Sequence, residues 1–251
     1  MMIKITEKCS MGCTHCINNA KPVDKHMDIN TFKKAINFFK KYGGVIVIIS
    51  GGEPTEHPDF LEYIKLFMAS VPPYVIVCIA TNGVWMQNHT YEIVELLNKY
   101  NERLLVQVTS VDEYYPVKID TSLPIFKHKS VIVCTEIERM YPQGRALTNN
   151  LPYPAPSGPK CANARLIMHQ IKVKSLKNMI SMMLIKNLFV CTPHIGIDGS
   201  IKLGESDLCP VCSTIYKSEK EIIQDILDFR CKGCKEALDN LMPQAKAIIG
   251  E

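Results

Sequence analysis

The chain has 251 residues, of which 47% are hydrophobic and 22% are charged. This length suits one or two domains, and the composition argues against intrinsic disorder, a collagen-like chain or a coiled coil. Lysine and arginine number 29 against 25 aspartates and glutamates, and the small excess is spread along the sequence. A nucleic-acid partner is therefore not expected.

The sequence also argues against a membrane location. No apolar run reaches the roughly 18 residues that a membrane span needs, and the longest candidate, 179–190, is interrupted by Lys186 and Asn187. The first residues show no signal-peptide pattern, so we expect a cytoplasmic protein in a reducing compartment. There, eleven cysteines indicate metal or catalytic chemistry rather than disulfides.

The first 135 residues alternate continuous apolar runs with segments of helical periodicity. The predicted strands, rich in valine and isoleucine, cover residues 2–6, 45–50, 74–80, 104–109 and 130–135. The predicted helices cover residues 28–42, 59–70 and 90–100, with Asp28, Asp59 and Thr90 as candidate capping or first-turn residues. This order predicts an α/β fold, either an open doubly wound sheet or a full or partial barrel.

The pattern changes after Arg145. In chain order we predict a proline-rich connector at 151–159, a strand at 165–173, a helix at 175–187, a hairpin at 188–203 and a helix at 218–229. The hairpin is expected to turn at Asp198-Gly199, a dipeptide favoured in tight turns. The predicted domains are a core at 1–150, a connector with the last core elements at 151–187, and a small cysteine-rich module at 188–251.

Cys9, Cys13 and Cys16 form a C-x-x-x-C-x-x-C motif directly after the first predicted strand. Thiolates hold iron–sulfur clusters, usually four per cluster, so three would leave one iron of a [4Fe–4S] cluster open for a small ligand. The alternative is a zinc knuckle whose fourth ligand is His15 or His26.

Two further motifs follow the second and third predicted strands. Gly51-Gly52-Glu53-Pro54 offers two glycines that allow close approach to the backbone and a carboxylate for a cationic group. Thr81-Asn82-Gly83 follows the next strand. Because the carboxyl ends of parallel strands meet at one edge, all three loops are expected at the functional end of the fold.

These motifs, together with Gly144-Arg145-Ala146, resemble the radical S-adenosylmethionine (radical SAM) superfamily. The resemblance implies a partial (β/α)6 barrel and a [4Fe–4S] cluster on the three cysteines that is chelated by S-adenosylmethionine. It implies further cofactor contacts by Gly51, Gly52, Glu53, Asn82 and His15, with Glu53 in the segment that holds the amino group. Thr109, Ser110 and Asp112, predicted to end the fourth strand, are candidates for the ribose or substrate.

Five more cysteines lie in the last 61 residues. Cys209/Cys212 with Cys231/Cys234 would suit a structural zinc ribbon. The segment from Cys191 through Gly204 to Cys209 is instead similar to the opening of the Twitch and SPASM modules, which hold auxiliary [4Fe–4S] clusters. On that resemblance the ligands are Cys191, Cys209, Cys231 and Cys234, with Cys212 as a spare that could exchange with Cys191. Of the three other cysteines, Cys161 either caps that cluster or is buried, whereas Cys78 and Cys134 are expected in the core.

The resemblance implies a 5′-deoxyadenosyl radical that abstracts hydrogen, with an electron donor of the flavodoxin or ferredoxin type. An auxiliary cluster would favour net two-electron oxidation of a small-molecule alcohol or amine, as in Twitch-type aminocyclitol dehydrogenases. Arg145 is the candidate catalytic group at the substrate, and a structural salt bridge is its alternative role. A maturase acting on a peptide or protein side chain is the second hypothesis. It is disfavoured because such enzymes often carry an N-terminal peptide-binding domain before the cysteine motif, whereas the first cysteine here is residue 9. A non-catalytic zinc- or iron-binding protein is the third.

Overall fold

The computed structural model describes residues 1–109, 113–134, 144–151, 193–203 and 210–229. Its strands are β1 (Met2–Thr6), β2 (Ile46–Gly51), β3 (Ile76–Thr81), β4 (Leu104–Val108), β5 (Val131–Val133), β6 (His194–Ile195), β7 (Ser200–Lys202) and β8 (Val211–Thr214). Its α-helices are α1 (Ile29–Tyr42), α2 (Phe60–Ser70), α3 (Val84–Asn88), α4 (Thr90–Tyr100), α5 (Gly144–Thr148) and α6 (Glu219–Asp228).

The eight strands form one sheet in the order β5-β4-β3-β2-β1-β6-β7-β8. Strands β1 to β5 are parallel neighbours in chain order, and β6 adds a further parallel strand beside β1. A doubly wound sheet reverses its strand order at a switch point, whereas sequential order is that of a barrel wall. The predicted α/β fold is confirmed as a partial barrel rather than an open doubly wound sheet.

Helices α1, α2, α4 and α6 share one buried hydrophobic cluster with the strands. In α1 the predicted stripe of Phe32, Ala35, Ile36 and Phe39 is buried, and the ring of Phe32 stacks on that of Tyr63 in α2 at 4.4 Å. Burial of such side chains contributes about 1.5–3 kcal/mol each. The helices are thereby fixed behind the strands, which leaves the loops at the strand ends to form a site.

The predicted helix starts have different physical bases. Asp28 caps α1, with its carboxylate accepting from the backbone N–H groups of Asn30 at 2.9 Å and Thr31 at 3.1 Å. Asp59 precedes α2 without a side-chain cap, and Thr90 is the first residue of α4. Only Asp28 therefore provides the capping interaction that residue type predicts.

Strands β6 and β7 form the predicted hairpin, and β8 extends it as a third antiparallel strand. Gly199 has a φ of +77°, which explains the glycine of the Asp198-Gly199 turn. Helix α6 follows with a capping box between Ser218 and Glu221. The predicted connector, the strand at 165–173 and the helix at 175–187 lie outside the described residues. Among the residues that are described, no helix is long and apolar enough to cross a membrane.

Candidate active site

Three cysteines lie together in the loop that follows β1. Cys9 and Cys13 are each 7% exposed and pack with Met11 and Ala20, and Cys16 contacts the same group. The backbone N–H of Ala20 also approaches the sulfur of Cys16 at 3.4 Å. The loop thus brings the three thiols into one small, largely buried region, as their spacing predicts.

Two of these thiols, Cys9 and Cys13, are in an environment that favours the protonated form. Burial raises the pKa of Cys9 to about 11. Burial, and then the neighbouring Cys9 and Cys16, raise the pKa of Cys13 to about 12, with Arg145 opposing the shift. Thiolate is the form that binds metal, so cluster assembly here must displace protons.

A single-ion site is not formed by this loop. In the part of the chain that the structure describes, no three His, Cys, Asp or Glu side chains are gathered closely enough to hold one metal ion. His26, a proposed zinc ligand, contacts the hydroxyl of Thr6 at 2.8 Å and meets the ring of His57 edge-on. The thiols of a [4Fe–4S] cluster bind different irons and do not need to converge on one ion-sized centre.

Gly144 and Arg145 hold the cysteine loop from the other side. The guanidinium of Arg145 donates to the carbonyl oxygens of Cys13 and Ala20, each at 2.6 Å, and its backbone N–H donates to that of Cys16 at 2.9 Å. A Cβ on Gly144, whose φ is +52°, would lie 2.3 Å from the Cys16 carbonyl oxygen. These contacts give Arg145 a positioning role in the cysteine loop. Its predicted role at the substrate stays a prediction.

The two glycines after β2 allow the chain to approach itself. A Cβ on Gly51 would lie 2.4 Å from the carbonyl oxygen of Thr6, and one on Gly52 would lie 2.3 Å from that of Lys8. Backbone hydrogen bonds join the same segments, from Gly52 to Thr6 at 2.8 Å and from Glu53 to Lys8 at 2.7 Å. The glycines therefore clamp the cysteine loop onto β2. Their predicted contact with the cofactor stays a prediction.

The side chain of Glu53 is buried and its acceptors are occupied. Oε1 accepts from the backbone N–H of Thr55 at 3.2 Å, from its hydroxyl at 2.7 Å and from the hydroxyl of Thr81 at 2.6 Å. Oε2 accepts from the backbone N–H of Asn82 at 2.7 Å. Burial raises the pKa of this carboxyl, with the hydrogen bonds from Asn82, Thr81 and Thr55 opposing the shift.

These four donors nearly fill a carboxylate's acceptor sites. The carboxylate thereby joins the loop after β2 to the loop after β3. Its role toward a cationic group stays a prediction.

The other predicted cofactor contacts surround this centre. The ring of His15 lies 5.4 Å from that of Tyr114 and 4.8 Å from that of Tyr115, between centroids. Thr109 accepts a hydrogen bond at 2.8 Å from the hydroxyl of Tyr115. His15 and Thr109 are thus linked through one tyrosine, whereas Ser110 lies outside the described residues.

One contact of the site carries no sequence signal. The carboxylate of Glu56 accepts from both the backbone N–H of Ser10 at 2.7 Å and its hydroxyl at 2.8 Å. This bond adds a third tie between the cysteine loop and the turn after β2. A glutamate in a short turn has no distinguishing pattern, so sequence reasoning could not single it out.

The second cysteine group is described only at Cys212, at the start of β8. Its thiol donates to the carbonyl oxygen of Ile201 at 3.2 Å, and burial raises its pKa to about 11. The proposed ligands of an auxiliary cluster, Cys191, Cys209, Cys231 and Cys234, lie outside the described residues. Cys161 also lies outside them. Cys78 and Cys134 lie in β3 and directly after β5 and are half-buried.

Comparison with known proteins gives both sequence and fold relatives. The chain is 31% identical over 94 residues to GTP 3′,8-cyclase of Chlorobaculum tepidum, which covers 37% of this chain and 28% of that protein. It is 31% identical over 91 residues to the molybdenum cofactor biosynthesis protein moc-5 of Caenorhabditis elegans, covering 35% and 15%. The chain therefore matches less than a third of either protein's length.

The fold is similar to that of BtrN in complex with AdoMet and 2-DOIA, with a TM-score of 0.58 and 13% identity over 93% of this chain and 82% of that one. The model of the Radical SAM superfamily matches residues 3–128, about half of the chain. That span contains the cysteine loop and the motifs after β2 and β3. The chain belongs to the radical SAM superfamily of enzymes.

Proposed function

We propose that this protein is a radical SAM oxidoreductase that removes two electrons from a small-molecule alcohol or amine. The proposal rests on one arrangement. The loop of Cys9, Cys13 and Cys16 is fastened to Gly52 and Glu53 by backbone hydrogen bonds and to Arg145 by its guanidinium. The segment after β2 and helix α5 thus converge on the thiol-rich loop after β1.

The donor set fits a [4Fe–4S] cluster with one open iron. Two buried thiols and the half-buried Cys16 lie together, with no fourth cysteine among the described residues of that group, and thiolates are the usual cluster ligands. When bound, the cluster and S-adenosylmethionine would supply a 5′-deoxyadenosyl radical, and an auxiliary cluster on Cys191, Cys209, Cys231 and Cys234 would accept the second electron.

The protein's own groups position these partners. Arg145 fixes the carbonyl oxygens of the cysteine loop, so the thiols are presented from a rigid backbone. Glu53 holds the segment after β2 against that after β3, which leaves backbone groups of Gly51 and Gly52 for the methionine end of the cofactor. His15 is proposed to lie beside the adenine and Thr109 beside the ribose or substrate.

Support for an oxidation comes from the fold likeness to BtrN, whose structure holds AdoMet and 2-DOIA. The likeness extends over 93% of this chain, and the Twitch-like cysteine spacing supports an electron acceptor in the last 61 residues. A reductant of the flavodoxin or ferredoxin type is proposed as the electron donor.

The test is anaerobic reconstitution followed by measurement of iron and of 5′-deoxyadenosine formed under reductant. We expect about eight irons per chain, four for each cluster. The variant in which Cys9, Cys13 and Cys16 are changed to Ala should lose 5′-deoxyadenosine formation and about half of the iron.

Cys78→Ala is the matched control, because Cys78 is a half-buried cysteine in β3 outside the loop. It should keep both the iron content and S-adenosylmethionine cleavage. Cleavage retained by the triple variant would contradict the proposal. If the carboxyl-terminal cysteines hold zinc rather than iron, they form a structural zinc ribbon and not an electron acceptor. That result would contradict the proposed oxidation.

A further inference from the structure

A cavity of about 510 Å³ opens beside the proposed cofactor site. Its wall combines the ends of β1 and β2, the segment after the cysteines and the β6–β7 hairpin. Gly51 and Gly52 line it, so it is continuous with the segment proposed to hold the cofactor. Pockets for small molecules have volumes of about 300–1,000 Å³, and this cavity is in that range.

One face of the sheet makes this cavity basic. Met2 pairs with His194 and His194 with Lys202, and Lys4 lies two residues beyond Met2, so these side chains share a face. The opposite face carries the fully buried Ile3 and is packed in the core. Lys4, His194 and Lys202 are thereby set side by side in the cavity wall.

The lining carries an excess of positive charge. It contains four lysines, Lys4, Lys21, Lys25 and Lys202, and two acidic residues, Glu7 and Asp198. Lys25 faces Glu7 at 3.7 Å, and Asp198 accepts from the backbone N–H of Ser200 at 3.0 Å within its own turn. The acidic groups are thus engaged locally.

His194 is the buried polar group of this wall. It is 5% exposed, and its Nδ1 has no hydrogen-bond partner among the described residues. Burial, and then the charges of Lys4, the amino terminus and Lys202, lower the pKa of the imidazole to about 3. A neutral imidazole with an unmet ring nitrogen therefore sits between two lysines, and buried polar atoms of this kind ordinarily have a partner.

We propose that the cavity binds an anionic group of the substrate, phosphoryl or carboxylate, with Lys4 and Lys202 as its charged contacts and the His194 imidazole as a hydrogen-bond partner. An anion would meet two ammonium groups and a ring N–H, and it would offset the repulsion between the lysines. The inference rests on the proposed function, because it takes the cavity next to the cofactor segment as the place of the substrate.

The charge of the cavity narrows the proposed substrate class. A cationic amine would be placed against like charge, which costs binding free energy. The same lining attracts an alcohol that carries a phosphate or a carboxylate. The lining therefore favours a substrate that carries an anionic group over a simple cationic amine.

The experiment titrates inorganic phosphate, and in a second arm acetate, into the reconstituted holoenzyme at low ionic strength by calorimetry. We expect saturable binding, weakened about tenfold by Lys202→Gln, equivalent to about 1.4 kcal/mol. His194→Leu should weaken binding as well. Lys33→Gln makes the same charge change on the exposed face of α1 and should bind like the wild type. Stronger binding of phosphate indicates a phosphorylated substrate, and stronger binding of acetate indicates a carboxylate.

Absence of saturable binding by either anion, or equal binding by Lys202→Gln and Lys33→Gln, would overturn the inference. Cleavage of S-adenosylmethionine is measured in parallel with wild type. The apparent KM for S-adenosylmethionine should be the same with and without phosphate. An increase in this KM would mean that phosphate competes with the carboxylate of the cofactor for the cavity, and it would overturn the inference too. Anion binding without any cleavage would refute the proposed function alone.

Discussion

The clamp between the cysteine loop and β2 gives the sharpest structural prediction, through the substitution Gly52→Ala. The added Cβ would lie 2.3 Å from the carbonyl oxygen of Lys8 and 2.6 Å from that of Glu7. Both neighbours are backbone atoms, so no side-chain rotation relieves the collision. The cysteine loop must therefore move away from β2.

The expected cost follows from the contacts that move. Overpacking of this kind typically costs about 1–3 kcal/mol. Separation of the loop also breaks the hydrogen bonds from Gly52 to Thr6 and from Glu53 to Lys8, each contributing about 1 kcal/mol. Together these effects predict a loss of about 3–5 kcal/mol in the free energy of unfolding.

Urea unfolding of the apoprotein measures this loss, and iron retained after anaerobic reconstitution measures the displacement of the thiols. Gly44→Ala is the control: Gly44 has a φ of +74° but nothing within 4 Å of the added Cβ. It should lose about 1–2 kcal/mol from backbone strain alone and keep its iron. A Gly52→Ala protein as stable as Gly44→Ala, with full iron content, would refute the clamp.

Three further substitutions test the site and the fold. Burial raises the pKa of Glu53 in the folded state, so the folded protein binds this proton more tightly than the unfolded chain does. The free energy of unfolding of the wild type should therefore fall as the pH rises from the unfolded pKa to the folded pKa. Urea unfolding at a series of pH values should show that this decline is missing in Glu53→Gln. Arg145→Lys should lower the iron content and the cleavage of S-adenosylmethionine without substrate, because one ammonium cannot span two carbonyl oxygens; a defect confined to substrate turnover would contradict the positioning role. Asp28→Ala should cost about 1 kcal/mol of unfolding free energy. Hydrogen bonds from Thr31 lower the pKa of Asp28 in the folded state. The loss of unfolding free energy in Asp28→Ala should therefore be complete above the unfolded pKa and should disappear as the pH falls through the folded pKa. A loss that stays the same in acid would contradict the cap.

The order of strands and helices could be read from the sequence because it depends on local patterns. The apolar runs of β1 to β4 and the stripe of α1 follow from period and residue type. The short helix α3 (Val84–Asn88) and strand β8 (Val211–Thr214) were not predicted. Both are too short for periodicity to register, and β8 forms by pairing with β7 rather than by propensity.

The candidate site could be predicted only where its residues fall in motifs. The cysteine spacing and the segment from Gly51 to Glu53 mark the place, but the target of each side chain depends on distant partners. Arg145 bonds a carbonyl oxygen 132 residues away, and Lys4 is brought beside His194 by strand pairing. Contacts of such separation leave no trace in local spacing, which is why the hydrogen-bond partners of Arg145 and Glu53 could not be predicted.

Electron paramagnetic resonance of the reduced protein, recorded with and without S-adenosylmethionine, tests the open iron of the three-cysteine loop most directly. We expect one component of the [4Fe–4S] signal to change when S-adenosylmethionine is added and to be absent when Cys9, Cys13 and Cys16 are changed to Ala, while the component from the auxiliary cluster remains in that variant. Absence of any component that responds to S-adenosylmethionine, or survival of that component in the triple variant, would contradict the account.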